Sequence, residues 1–146
     1  MTTPLTPSAR PLTAEDLELV ERARQTVDAC TDAGPDEDGV HTVGAAVRAS
    51  DGRVFVGVNL YHFTGGPCAE LVALATARAN GATGITHIVA VGNHGRGVMA
   101  PCGRDRQVLA DYHPGVRVIV PTPDGDASVP ISELLPLAFG ARAEHA

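Results

Sequence analysis

Between Thr42 and Val120 the chain carries a succession of segments that few folds accommodate: a hairpin signal, then helix, strand, helix, strand. Thr42 to Ala49 and Arg53 to Asn59 are rich in Val, Ala and Phe and meet across the turn-forming Ser50-Asp51-Gly52. Cys68 to Asn80 is rich in alanine and leucine and stops at Asn80-Gly81, which predicts a helix beginning at or beside Cys68. Ile85 to Val91 is a strand-type apolar run, and Gly92 to Ala100 reads as a loop. Pro101 stands where a proline opens a helix, placing Cys102, Asp105 and Gln107 in its first turns before Pro114 ends it. Val116 to Val120 supplies another strand, and Pro130 to Phe139 predicts a last short helix. Upstream, Thr13-Ala-Glu-Asp16 predicts a capping box, with Leu17, Val20, Ala23 and Val27 at helical spacing and Gly34-Pro35 as the stop. A hairpin followed by two helix–strand units predicts an α/β fold, a three-layer α/β/α domain on a mixed β-sheet.

With 146 residues there is material for one core, so we expect a flexible leader over residues 1–12 and a single domain over 13–146. All 11 basic residues are arginine. Schiff-base, pyridoxal-phosphate and Walker A chemistry each need a lysine and are excluded. Against 17 acidic residues the net charge is −6, the wrong sign for gripping a polyanion, so a small-molecule substrate is expected and a long nucleic acid is not. No apolar run is long enough for a bilayer, and the proline-bearing N-terminus has no signal-peptide core, which reads as a cytoplasmic protein without membrane contact. Three cysteines, Cys30, Cys68 and Cys102, are an odd number for a disulfide framework and direct attention to metal or nucleophile chemistry. Cys30 reads as a small buried hydrophobe.

Cys68 and Cys102 each start a predicted helix after a loop leaving the sheet. Such loops gather at one edge of an α/β sheet, where ligands bind, and a helix N-terminus favours the thiolate that binds metal. Asp105 follows Cys102 by three residues on the same helix face, so both can reach one ion. Cys68, Cys102 and Asp105 would then form an open zinc site with one position left for water. Glu70, in the first turn after Cys68, is placed to take a proton from that water and pass it to a leaving group, the requirement of a hydrolytic deamination. Each residue also has a plainer reading: Asp105 and Glu70 as helix-start carboxylates that complement the dipole, Arg104 and Arg106 as solvated arginines, one of them offsetting an anionic site. His94, in the loop before Pro101, is the alternative third ligand.

Cys68-Ala69-Glu70 followed by Pro101-Cys102-Gly103-Arg104-Asp105 resembles the zinc cytidine deaminase superfamily, whose outline is C-x-E or H-x-E and then P-C-x-x-C. The similarity spans roughly residues 42–120. It is strongest toward the blasticidin S deaminase branch in DGRVFVGVNLYHFTGGPCAELVALATA, IVAVGN, PCGRDRQVL and HPGVRVIV, with ELLP near the end.

The resemblance implies Zn2+ on Cys68 and Cys102, Glu70 as proton shuttle, and the Ala69 backbone N–H on the pyrimidine O2. It further implies Asn59 on the sugar. Tyr61 stands where ordinary cytidine deaminases carry a glutamate for the ribose, which favours a modified sugar. His41 and Thr42 fall where the family places an aromatic residue against the base. Phe139 matches a C-terminal aromatic that closes an active site, often that of a neighbouring subunit, and a homotetramer is implied with it. Asp105 occupies the place of the family's third cysteine. The expected activity is removal of the 4-amino group of a cytosine nucleoside such as blasticidin S. Cytidine or deoxycytidine salvage, and a metal-depleted nucleoside-binding protein on the same fold, are the alternatives that remain open.

Overall fold

The computed structural model describes residues 4–140. In chain order the elements are β1 (Arg10–Pro11), α1 (Ala14–Cys30), β2 (Val43–Ala49), β3 (Val54–Val58), α2 (Ala69–Ala79), β4 (Ile85–Gly92), β5 (Gly97–Met99), α3 (Gly103–Tyr112), β6 (Arg117–Thr122), β7 (Gly125–Pro130) and a 3-10 turn (Ile131–Glu133). The strands form one mixed sheet in the order β1-β7-β6-β4-β2-β3, with β5 also on β4. Only β4 and β6 run parallel, and α3 lies on the crossover between them; the other pairs are antiparallel.

Alternation along the central strands sorts the core into two faces. Ala45, Val47, Ile88, Ala90, Val118 and Val120 pack with Ala69, Ala73 and Ala77 of α2 and Leu109 of α3. Their neighbours Ala46, Val89, Val91 and Ile119 point the other way, onto Leu19 and Ala23 of α1. The sheet is therefore sandwiched between α1 and the α2–α3 pair, the three-layer α/β/α arrangement expected. Two glycines set the spacing of the layers. A Cβ on Gly44 would lie 2.5 Å from the Ala23 carbonyl oxygen, and one on Gly57 would lie 2.5 Å from the Ala73 backbone nitrogen. Both helices thus cross the sheet at backbone contact distance.

The hairpin, the three helix starts and the strands β4 and β6 fall where the sequence puts them. Thr13 caps α1 in a reciprocal box with Asp16, whose carboxylate accepts the Thr13 N–H at 3.0 Å. Elsewhere the reading is corrected. The first helix stops at Cys30, because Thr31 turns extended and uses its hydroxyl to hold the His41 carbonyl at 2.7 Å. Cys30 is exposed there, and is not the buried hydrophobe expected. Arg10 and Pro11, inside the stretch read as leader, pair with Ser128 and Ala127 at the sheet edge. The loop before Pro101 contains β5, reached through a turn in which His94, Gly95 and Gly97 all take positive φ. Pro130 to Phe139 is not a helix: Pro130 ends β7 and only Ile131–Glu133 coil, as a 3-10 turn. Among the described residues no helix is long and apolar enough to cross a membrane.

Candidate metal and active site

Strand β4 ends beside β2, and the chain returns to the same edge of the sheet at the starts of α2 and α3. Cys68 is the N-cap of α2 and Cys102 the N-cap of α3, so both sulfurs project from extended residues just ahead of a helix. They lie 3.4 Å apart, as free thiols. The Asp105 backbone N–H donates to Cys102 Sγ at 3.5 Å, and Asp105 Oδ2 accepts the Cys102 N–H at 3.3 Å. This is a capping box with cysteine in the usual serine position. It fixes the third donor: the two sulfurs and an Asp105 oxygen all lie within 4.8 Å of one another.

Asp105 is only 1% exposed, and its Oδ1 is buried without a donor from a fixed N–H or O–H. A buried carboxylate oxygen left unpaired is costly. Glu70, 6% exposed, faces it and can donate to it only when carrying a proton. Burial first, and then the hydrogen bond and negative charge of Asp105, push the Glu70 carboxyl up to about 8. Burial also pushes the Cys68 thiol up to about 12, helped by its hydrogen bond with Cys102 and opposed by Arg104. The helix N-terminus alone would have lowered it, so at this site burial outweighs the helix field. A divalent cation among the three donors would compensate the buried negative charge of this cluster.

The donor set fits zinc. Two sulfurs at about 2.3 Å from a tetrahedral ion sit about 3.8 Å apart, close to the separation seen here. Three protein donors leave a fourth position facing a cavity of about 230 Å³. That cavity is lined by Asn59, Leu60 and Tyr61 together with Cys68, Ala69 and Glu70. Ala69 is the first residue of α2, where the N–H has no acceptor within the helix.

The expected site residues divide into two groups. Cys68, Ala69, Glu70, Cys102, Asp105, Asn59 and Tyr61 converge on the cavity. Asn59 turns its Oδ1 to the N–H groups of Thr42 and Val43, at 2.7 and 2.9 Å, which locks the start of β2. His41 and Thr42 do not line the cavity: the His41 ring pairs with the Asn59 carbonyl at 2.7 Å, and Thr42 borders a neighbouring polar groove with Arg96. Phe139 is 69% exposed and also outside it, with its carbonyl held by Gln107 at 2.8 Å. His94 does not join the cluster, since its ring nitrogen pairs with the Ala33 carbonyl at 2.7 Å.

Sequence reasoning left out Met99 and Ala100, which close the cavity from the end of β5. Gly95 and Gly97, both following His94 and both at positive φ, were the available signal for that turn. Of the two arginines weighed as charge partners, Arg104 reaches the Gly66 carbonyl at 2.8 Å and Cys68 Sγ at 3.9 Å. Arg106 instead clamps the Pro101 and Leu134 carbonyls.

No family model matches the chain. It is 31% identical over 137 residues to a blasticidin-S deaminase of Bacillus cereus, covering 88% of this chain and 94% of that protein. The chain belongs to the cytidine deaminase superfamily. A cytidine deaminase of Mycobacterium tuberculosis is 36% identical over 100 residues, 67% of this chain and 72% of the other. Among solved structures, the cytidine deaminase of Burkholderia pseudomallei superposes with a TM-score of 0.67 at 32% identity, covering 88% of this chain and all of the other. The M. tuberculosis enzyme gives 0.68 at 26% identity, with 86% and 98% covered. This chain is accordingly an enzyme of the deaminase type, and its mixed sheet with three helices is the superfamily fold.

Proposed function

We propose that this enzyme removes the 4-amino group of a cytosine nucleoside by hydrolysis, with blasticidin S or a related nucleoside antibiotic as its substrate. The observation that carries the reading is the convergence of Cys68, Cys102, Asp105 and Glu70 on the lining of one cavity. Cys68, Cys102 and Asp105 are the residues to hold zinc, which when bound supplies a Lewis acid and a water acidic enough to lose its proton near neutrality. Glu70 moves the protons: it takes one from the attacking water and delivers it to N3 of the pyrimidine, then takes the second from the hydroxyl formed at C4 and delivers it to the amine, which departs as ammonia. The Ala69 N–H, at the positive end of α2, holds the pyrimidine O2. The buried walls around Glu70 exclude bulk water from the exchange.

Asn59 and Tyr61 stand on the side of the cavity where the sugar enters. Tyr61 is 66% exposed and carries no charge, so it offers a face to a larger appendage and not a carboxylate to a ribose hydroxyl. The similarity to the B. cereus blasticidin-S deaminase along most of both chains supports the same choice. Activity would be followed by ultraviolet absorbance on blasticidin S, cytidine and deoxycytidine, beside zinc per chain on protein purified without chelator. Preferred turnover of blasticidin S upholds the assignment, and preferred turnover of cytidine reassigns the enzyme to pyrimidine salvage. Nucleoside binding without turnover after zinc addition replaces it with a binding protein on the deaminase fold.

A further inference from the structure

We infer that the Cys68–Cys102–Asp105 centre is a mixed two-sulfur, one-oxygen site in which Asp105 supplies a single carboxylate oxygen, and that it therefore loads oxygen-preferring divalent cations as well as zinc. The inference rests on the proposed metal-dependent reaction but concerns the metal's identity. Three features of the site carry it. Asp105 Oδ2 is taken, since it accepts the Cys102 N–H at 3.3 Å. Oδ1 is buried without a fixed donor, on a residue 1% exposed, and a carboxylate oxygen of Asp105 lies with the two sulfurs inside a 4.8 Å cluster. The box that holds Oδ2 also fixes the carboxylate, so its donor oxygen is placed without costing the freedom of a mobile side chain.

A carboxylate brings the same single negative charge as a thiolate, so replacing sulfur by oxygen leaves the electrostatics of the centre unchanged and alters its softness. Soft thiolates favour zinc and other thiophilic ions, while carboxylate oxygen suits manganese, iron(II) and cobalt relatively better. Zinc remains the tighter ion by the general order of divalent affinities, but the margin narrows. The enzyme's metal would then follow local supply more closely than a three-sulfur centre allows.

The test uses the full chain, stripped with chelator under reducing conditions and titrated with Co2+, Zn2+ and Mn2+. The Co2+-loaded protein should show a sulfur-to-cobalt absorption band of two thiolates, and Asp105→Cys should raise it about 1.5-fold. Asp105→Cys should also widen the preference for zinc over manganese by about tenfold or more. Asp105→Asn retains an acceptor for the Cys102 N–H, so it should keep the native circular dichroism while losing metal affinity by about tenfold or more. The inference is overturned if Asp105→Asn holds metal as the parent does, or if the parent and Asp105→Cys share one zinc-to-manganese preference. Because none of these readings uses a nucleoside, they stand apart from the assay of the proposed reaction. A centre that behaves as described on a protein that turns over no cytosine nucleoside overturns that reaction alone.

Discussion

Two side chains at the site combine structural and chemical work, and substitutions separate the two. Glu70 lies in the first turn of α2, beside the metal cluster without being one of its donors. Glu70→Gln should lower kcat by about 10²- to 10⁴-fold, the usual worth of a positioned proton carrier, and leave zinc per chain unchanged. Loss of zinc together with activity would make Glu70 a ligand and sink the assignment. Asn59 is different, because its Oδ1 terminates two backbone N–H groups at the start of β2. Asn59→Ala leaves those donors unpaired and should cost about 1–3 kcal/mol in chemical denaturation. Asn59→Asp keeps the acceptor and should retain stability, while both variants raise KM if Asn59 also holds the sugar. An unchanged KM in Asn59→Asp would restrict this residue to its structural part. At this scale the sequence was most informative where a residue's neighbours are fixed by local geometry: the i and i+3 pairing of Cys102 with Asp105 needs only a helix turn. It did not reveal the partners of His94 and Phe139, the Ala33 carbonyl and Gln107, which are set by tertiary packing.

The elements explain why the donors meet. α2 is anchored over β3 at Gly57, where only a missing Cβ lets the Ala73 nitrogen approach. Because Cys68 and Glu70 sit at the N-terminal end of this same helix, its seating on the sheet sets their distance from Cys102. Gly57→Ala should therefore destabilise the domain by about 1–3 kcal/mol and also reduce zinc retention, through displacement of a helix whose end carries a ligand. Denaturation and metal analysis on the same sample check this, and a stability loss with full zinc retention would show that the helix start holds its place independently. Long periodic segments were legible: α1, α2, α3, the hairpin and β4 follow from spacing and caps. β7 was not, since Gly125-Asp126-Ala127-Ser128 has weak strand propensity and is held by its pairing with β6. β5 is three residues long, too short for a period to register, and depends on a positive-φ turn and on the edge of β4. The same omission hid Met99 from the cavity, so one error of propensity became an error about the site.

On the scale of the whole molecule, two of the segments that expose large apolar side chains expose more than one. Tyr61 and Phe63 lie on the loop between β3 and α2, and Leu137 and Phe139 on the segment after the 3-10 turn. Phe139 lies outside its own chain's cavity yet matches an aromatic that in related enzymes closes a neighbour's site. A homotetramer in which Phe139 serves an adjacent subunit is what the family resemblance leads one to expect, and complementation tests it. Phe139→Ala alone should raise KM several-fold with kcat less affected, and Glu70→Gln alone should be nearly inactive. When the two variants are dissociated and reassembled together, some sites combine an intact Glu70 with an intact Phe139 from the partner. Those sites should restore a low-KM fraction of the activity that neither parent has. Sedimentation of a single-chain species, or mixtures whose kinetics are the sum of the two parents, would return Phe139 to its own subunit or to no role in the site. The sequence could not decide this, because a residue that acts across an interface leaves no pattern within one chain beyond its own exposure.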